Sequence, residues 1–186
     1  MNSDLLYSVF LGVSVSAACG LRAFLPALVF SIGASSGYVL LPEGFSWISS
    51  PVAVAAFAAA AAAELAASFS AKAERLLDAA ATPAAMLLGS LLTMASLVNV
   101  HFLTGTLLPP LIGITVGGLS QSLAGLLHAR AVASSGSRGR TRGAAAEAGG
   151  ALALSALGVL FPPAGCAVVI VLLAALSKNI REAVLR

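Results

Sequence analysis

Charge is the scarcest property of this chain. Only 9% of its 186 residues are charged, against about 25% in soluble domains. So few charges cannot cover a water-soluble globule, and the mean hydropathy of +1.01 agrees. Sustained polar–apolar alternation is also missing, which argues against a transmembrane barrel. The net charge is only +3, too small to point to nucleic-acid binding. Two cysteines, Cys19 and Cys166, make no disulfide framework and read as small packing residues. No Gly-rich loop follows a strand, and no His-Glu-x-x-His, paired-Cys or Gly-x-Ser-x-Gly motif occurs. The expectation is a protein that is not an enzyme, with no cofactor, no metal and no catalytic residue.

What remains is long apolar runs with the polar residues clustered between them, the pattern of an all-α, polytopic membrane helix bundle. One domain, 1–186, is expected. Six spans are predicted at Leu5–Gly33, Pro51–Ser70, Ala80–Val98, Pro109–Leu127, Gly143–Phe161 and Gly165–Ile180. The first has about 29 residues where roughly 20 suffice, so it should tilt, or kink at Gly20 and Pro26. Ala34–Ser50, with Tyr38 and Trp47, should lie along the membrane surface. Ala71–Ala79 and His128–Arg142 read as loops, and Pro162-Pro163 as a tight turn. The alanine run of the second span should sit inside the bundle, where small residues let helices approach closely.

Orientation follows from the distribution of Lys and Arg. With the amino terminus in the cytoplasm, Lys72, Arg75, Arg130, Arg138, Arg140, Arg142, Lys178, Arg181 and Arg186 all fall on the cytoplasmic side. Both termini are then expected inside the cell (inner) membrane, and only Arg22 is left within a span. The lipid bilayer is the obvious partner, with anionic headgroups at Arg130–Arg142 a further one. A homo-oligomer is compatible with the sequence. Leu11-Gly12-Val13-Ser14-Val15 is echoed by Ile112-Gly113-Ile114-Thr115-Val116. That echo suggests a three-plus-three inverted repeat of the kind found in transporters.

The run Ala18-Cys19-Gly20-Leu21-Arg22-Ala23-Phe24-Leu25-Pro26 resembles the opening signature of an uncharacterised prokaryotic membrane family, domain of unknown function 4126. So do Gly44-Phe45-Ser46-Trp47, Ser49-Ser50-Pro51, Glu64, Leu76-Leu77-Asp78, Thr82-Pro83 and Ala146-Glu147. Departures are Glu74, where the family often has aspartate, and Gly139-Arg140, where it often has Gly-Asn. The resemblance implies an architecture and no activity.

An arginine within a span costs roughly 2.5–3.5 kcal/mol on insertion scales. Counted from the outer span ends, Arg22, Glu64, Gln121 and Glu147 lie at depths of about 16–21 Å. They form a candidate buried polar layer. Arg22 is expected to meet Glu64, leaving Glu147 as the spare carboxylate. Arg75 and Asp78, three apart, should pair on one helical face. His101 reads as an interfacial polar residue and His128 as a loop cation. Two functions stay open: a small proton- or cation-coupled transporter, and a non-transporting scaffold or accessory subunit of a membrane complex.

Overall fold

The computed structural model describes residues 3–68, 71–97 and 102–184. It is all-helical, with no strand among the described residues. The elements are α1 (Ser3–Leu21), α2 (Phe24–Ser35), a 3-10 segment (Glu43–Ser49), α3 (Pro51–Ala67), α4 (Ala71–Ser96), α5 (Phe102–Leu160) and α6 (Pro162–Val184). Helix α5 is not straight. Gly136 sits inside it at φ 57°, ψ −130°, in the left-handed region where only glycine is free of strain. His128 and Glu147 touch at 2.9 Å, whereas a straight helix would set them about 28 Å apart. The chain therefore reverses at Gly136, and α5 is two limbs, Leu107–Ser134 and Thr141–Leu160.

Helix α1 is the centre of the bundle, packed on α4, on both α5 limbs and on α6. From Ser14 to Gly20 every residue is buried. This stretch, Ser14-Val15-Ser16-Ala17-Ala18-Cys19-Gly20, is nearly all small side chains, so neighbouring backbones come close. The buried hydroxyls are satisfied by carbonyls: Ser14 Oγ donates to Phe10 O at 2.7 Å and Ser16 Oγ to Gly113 O at 2.9 Å. A Cβ on Gly117 would stand 2.8 Å from Ala85 O, and one on Gly89 would stand 2.9 Å from Gly113 O. The outside is the reverse, with Leu107, Leu111, Leu119, Phe161, Ile170 and Val171 exposed. An apolar exterior around a polar, small-residue interior is the pattern of a bundle packed in lipid.

The contacts fix the direction of each element. Ser14 meets Gly158, and Leu21 meets Gly150, so α1 runs antiparallel to the second limb of α5. Leu25 clusters with Ala151, and Gly33 meets Val159, so α2 runs parallel to that limb. Helices α1 and α2 are thus the two arms of a hairpin with its tip at Arg22-Ala23. The expected single span over Leu5–Gly33 is corrected here. Gly20 and Pro26 flank a full reversal and not a kink, because Pro26 lacks an N–H and suits the first turn of a new helix. The tip lies at the same end of the bundle as the Gly136 turn.

Other expectations change with it. Helix α6 runs parallel to α1: Gly165 meets Ser14, while Val169 clusters with Ala17 and Ala18. Since α1 and α6 start at one end and finish at the other, Ser3 and Val184 lie at opposite ends of the bundle. The echoing segments of α1 and α5 also run parallel, Ser16 beside Gly113 and Gly20 beside Gly117. An inverted relation between them is excluded, because inversion needs opposite directions. Ala71–Ala79 is helical, as its Ala, Leu, Lys, Glu and Arg content favours, and most of His128–Arg142 is helical too, despite its Ser and Gly. The Arg75–Asp78 pair falls on side chains outside those described, and His101 lies outside the described residues.

Helix α3 also departs from expectation. Ser50 caps it by accepting from Ala53 N at 3.2 Å, with Pro51 at the first position. It lies mainly against α2. Among its residues only Ala53 and Ala61 are buried, and Ala59 and Ala63 are exposed. The alanine run is peripheral and not central, because the α1–α2 hairpin inserts a helix between it and the bundle centre.

The close approach of α4 and α5 gives a test. A Cβ at Gly113 would collide with the Ser90 backbone, whereas Gly125 faces open space. Gly113→Ala should lower stability in detergent by about 1–3 kcal/mol. Gly125→Ala should leave it unchanged or raise it by up to about 1 kcal/mol. Thermal melts of the two variants make the comparison.

Candidate functional site

The tip of the α1–α2 hairpin creates two demands. The first turn of α2 has backbone N–H groups with no partner in its own helix, and Ala23 supplies no side-chain cap. Beside it Arg22 brings a guanidinium that is about nine-tenths buried. Both demands are met by glutamates from other helices. Glu64 on α3 accepts from Ala23 N through Oε1 at 2.9 Å and from Phe24 N through Oε2 at 3.2 Å. One carboxylate thus holds two successive N–H groups at the positive end of α2, where the helix dipole favours an anion. Glu147, on the second limb of α5, brings Oε2 to 3.1 Å from Arg22 Nη2. Arg22 Nη1 donates to Ser68 Oγ at 2.8 Å, and Ser68 Oγ in turn donates to Glu64 O at 3.2 Å. Arg22 Nε is buried without a hydrogen-bond partner.

A chain of polar contacts leads away from the tip. Glu147 Oε1 lies 2.9 Å from His128 Nδ1. The imidazole sits over Gly143, whose place a Cβ would take only 3.0 Å from Nδ1. His128 and Glu147 each keep roughly a fifth of the side chain exposed, against a tenth for Arg22. The contacts step from the more open end of the α5 hairpin inward to the arginine.

These groups surround a cavity of about 160 Å³. Leu21, Arg22, Ala23 and Phe24 line one side, and Glu64, Gln121 and Glu147 enter from α3 and the two limbs of α5. Ala80, Ala81 and Ala84 of α4 complete the wall. All four members of the candidate polar layer, Arg22, Glu64, Gln121 and Glu147, line this one space. The expected partners are exchanged, however. Arg22 pairs with Glu147, and Glu64 holds the backbone of the tip. The exchange follows from the hairpin, since a chain reversal exposes N–H groups that a continuous span would have kept inside its own helix.

Sequence reasoning missed three participants: the Ala23 and Phe24 N–H groups, Ser68, and His128 as a neighbour of Glu147. A signal for the last one is present. In a hairpin about Gly136, His128 and Glu147 stand on facing limbs, within about three turns of the reversal. A loop between them, as the Ser- and Gly-rich sequence suggests, hides the pairing.

A family model described as "Domain of unknown function (DUF4126)" matches residues 9–182. No curated protein and no solved structure matches the chain.

The arrangement predicts which carboxylate is coupled to Arg22. Breaking a buried pair by removing one partner typically costs about 3–5 kcal/mol, more than removing both. Arg22→Ala and Glu147→Ala should each lower the melting temperature, and the double variant should recover part of the loss. The same cycle with Glu64→Ala should show weaker coupling, because Glu64 serves the backbone. Double-mutant cycles in thermal stability measure both terms, and a larger coupling for Glu64 than for Glu147 would contradict the geometry.

Proposed function

The chain belongs to the DUF4126 family, whose description assigns no activity, and we propose that it is a multi-pass membrane protein that carries a small solute coupled to a proton. The observation that carries this reading is one cavity. Arg22 at the hairpin tip, Glu64 on α3, and Gln121 and Glu147 on the two limbs of α5 line a single space inside a bundle with an apolar exterior. Intramembrane ionisable groups gathered around a cavity mark solute and proton pathways more often than they mark a fold requirement. One arginine and two carboxylates sum to −1, so the site has room for one positive charge. Glu147 and His128, in contact at 2.9 Å, are the pair to hold the proton. The role is permeation and binding, with no covalent chemistry.

The topology we propose has seven passes in place of six. Two segments, Leu107–Ser134 and Thr141–Leu160, are long and apolar enough to cross alone, and the bent pair Glu43–Ser49 plus Pro51–Ala67 makes a third. The others are shorter apolar helices that pack against these. Helix α2, at 12 residues, is about 18 Å long, so its starting tip is recessed below the membrane face. Counting the hairpin as two passes puts Arg22, Lys72, Arg75, Arg130, Arg138, Arg140, Arg142, Lys178, Arg181 and Arg186 at one end. By the positive-inside rule that end is cytoplasmic, which puts the amino terminus outside and the carboxyl terminus inside. Arg22 then needs no exception. Single cysteines test this. Those at Ser3 and Ser36 should label from outside intact cells, and one at Ser137 only after permeabilisation. Labelling at Ser3 only after permeabilisation would restore an even number of passes.

A second reading is a non-transporting scaffold, favoured by the saturation of the tip: Nη1 and Nη2 of Arg22 and both Glu64 oxygens already have partners. Sealed vesicles with an imposed proton gradient separate the two. Wild type should collapse the gradient in the presence of a transported solute. Glu147→Gln should keep the fold and lose at least tenfold of that rate, the scale of a lost proton carrier. A tight, inactive wild type with an intact fold would leave the scaffold.

A further inference from the structure

We propose that a groove between α1, α6 and the first limb of α5 holds one acyl chain of an anionic phospholipid, with the headgroup on Arg130. The proposal rests on the membrane-spanning reading and not on transport. The groove is separate from the hairpin-tip cavity, and Leu21 borders both. It has a volume of about 90 Å³. Ala17, Ala124, Leu154 and Val169 form its floor and are buried. Leu127 and Leu172 stand on its rim and are about half exposed. The groove is therefore open sideways to whatever surrounds the bundle. A helix with its side chains is about 10–12 Å across, too wide to enter so small a space. A single hydrocarbon chain is not. Left empty, the groove would forfeit the van der Waals contacts on which packing in lipid depends.

The direction of the groove matches that of a lipid chain. Its walls run from Ala17 to Leu21 on α1, from Ser120 to Leu127 on α5 and from Val169 to Leu173 on α6. All three helices head toward the end of the bundle that holds the hairpin tips, so the groove lies along the bundle axis. Its inner end is at Ser120 and its outer end at Leu127.

Charge selects the headgroup. Arg130 follows Leu127 by three residues and Leu123 by seven, so it continues the same helical face just past the outer end. It is exposed. Among the described residues it has no ion pair, and the carboxylate of nearby Glu147 is taken by Arg22 and His128. A guanidinium holds a phosphate through two parallel N–H groups, and a basic residue at the membrane surface attracts anionic lipid. The spacing agrees. From Ser120 to Arg130 the helix rises about 15 Å, half of a hydrocarbon core about 30 Å thick. A lipid whose phosphate rests on Arg130 thus lays its chain along the groove and ends near the middle of the bilayer, where the groove ends.

The test uses the purified full-length chain in a neutral detergent, titrated with dioleoyl phosphatidylglycerol or dioleoyl phosphatidylcholine. The melting temperature should rise by several degrees with the first and by less with the second. Glycerophosphoglycerol, the same headgroup without chains, should give no rise, and the dihexanoyl lipid a smaller one. Arg130→Gln leaves the groove intact and should weaken the response to phosphatidylglycerol roughly fivefold, the scale of one basic residue at a charged lipid surface. Arg142→Gln, which removes an exposed arginine from the other limb, should leave the response unchanged. Equal responses to the two dioleoyl lipids, a full response to the bare headgroup, or an equal loss in Arg142→Gln would overturn the site while leaving a membrane protein. A chain that stays in solution without detergent would overturn the membrane reading and the site with it.

Discussion

The structure depends on how a buried arginine is answered at a chain reversal. Arg22 stands where α1 stops, and one residue later α2 begins in the opposite direction. A reversal inside an apolar bundle leaves N–H groups that water cannot reach, and each would cost several kcal/mol unpaired. The arginine adds a charge to the same spot. Glu64 answers the N–H groups and Glu147 answers the charge, so α3 and the second limb of α5 are drawn to the tip from two sides. Removing either carboxylate leaves a different kind of orphan, a backbone donor in one case and a guanidinium in the other.

Close packing makes the reversal possible. The last turns of α1 carry Ser14, Ser16, Ala17, Ala18, Cys19 and Gly20. With so little side chain, α4 and the first limb of α5 approach to backbone contact around Gly89, Gly113 and Gly117. Lipid offers no hydrophobic drive for helices to associate, so van der Waals contact and hydroxyl-to-carbonyl bonds must hold them. Ser16 to Gly113 O and Thr93 Oγ1 to Gly89 O at 2.7 Å are such bonds. The tight centre leaves the tip of the hairpin as the place where packing opens into a cavity.

Composition alone made the helical class legible, because a chain with so few charges and such long apolar runs has few other folds open to it. The polar layer was legible too, since depth along a helix can be counted from its end. The pass count was not. Leu5–Gly33 has no charged residue except Arg22, and a hairpin tip buried among helices needs none of the Asn and Asp that mark turns in water. The polar stretches that extend α4 and α5 look like loops in the sequence because polar residues also mark loops, although Ala71–Ala79 consists of good helix formers. Alanine content misled as well. Ala59 and Ala63 are small enough to pack closely, but small residues pack closely only where a neighbour exists, and the hairpin put α2 between α3 and the centre.

The same reversal changes what the repeat means. Helices α1 and α2 form one hairpin and the limbs of α5 another, and both tips point the same way. Each is followed by a helix that runs from the far end back toward the tips, α3 in the first case and α6 in the second. Elements that run in the same sense cannot be related by inversion through the middle of the bundle. An inverted pair would bring two half-helix ends together at mid-depth. A rotated pair brings both tips to one end, together with Arg22, Glu147 and His128. The polar groups gather at that end for this reason. From that end the contacts run from His128 and Glu147 to Arg22, and the carboxylate of Glu64 is held by two backbone donors. The order of those contacts follows from the direction of the hairpins, and the direction follows from the reversal that Glu64 and Glu147 stabilise.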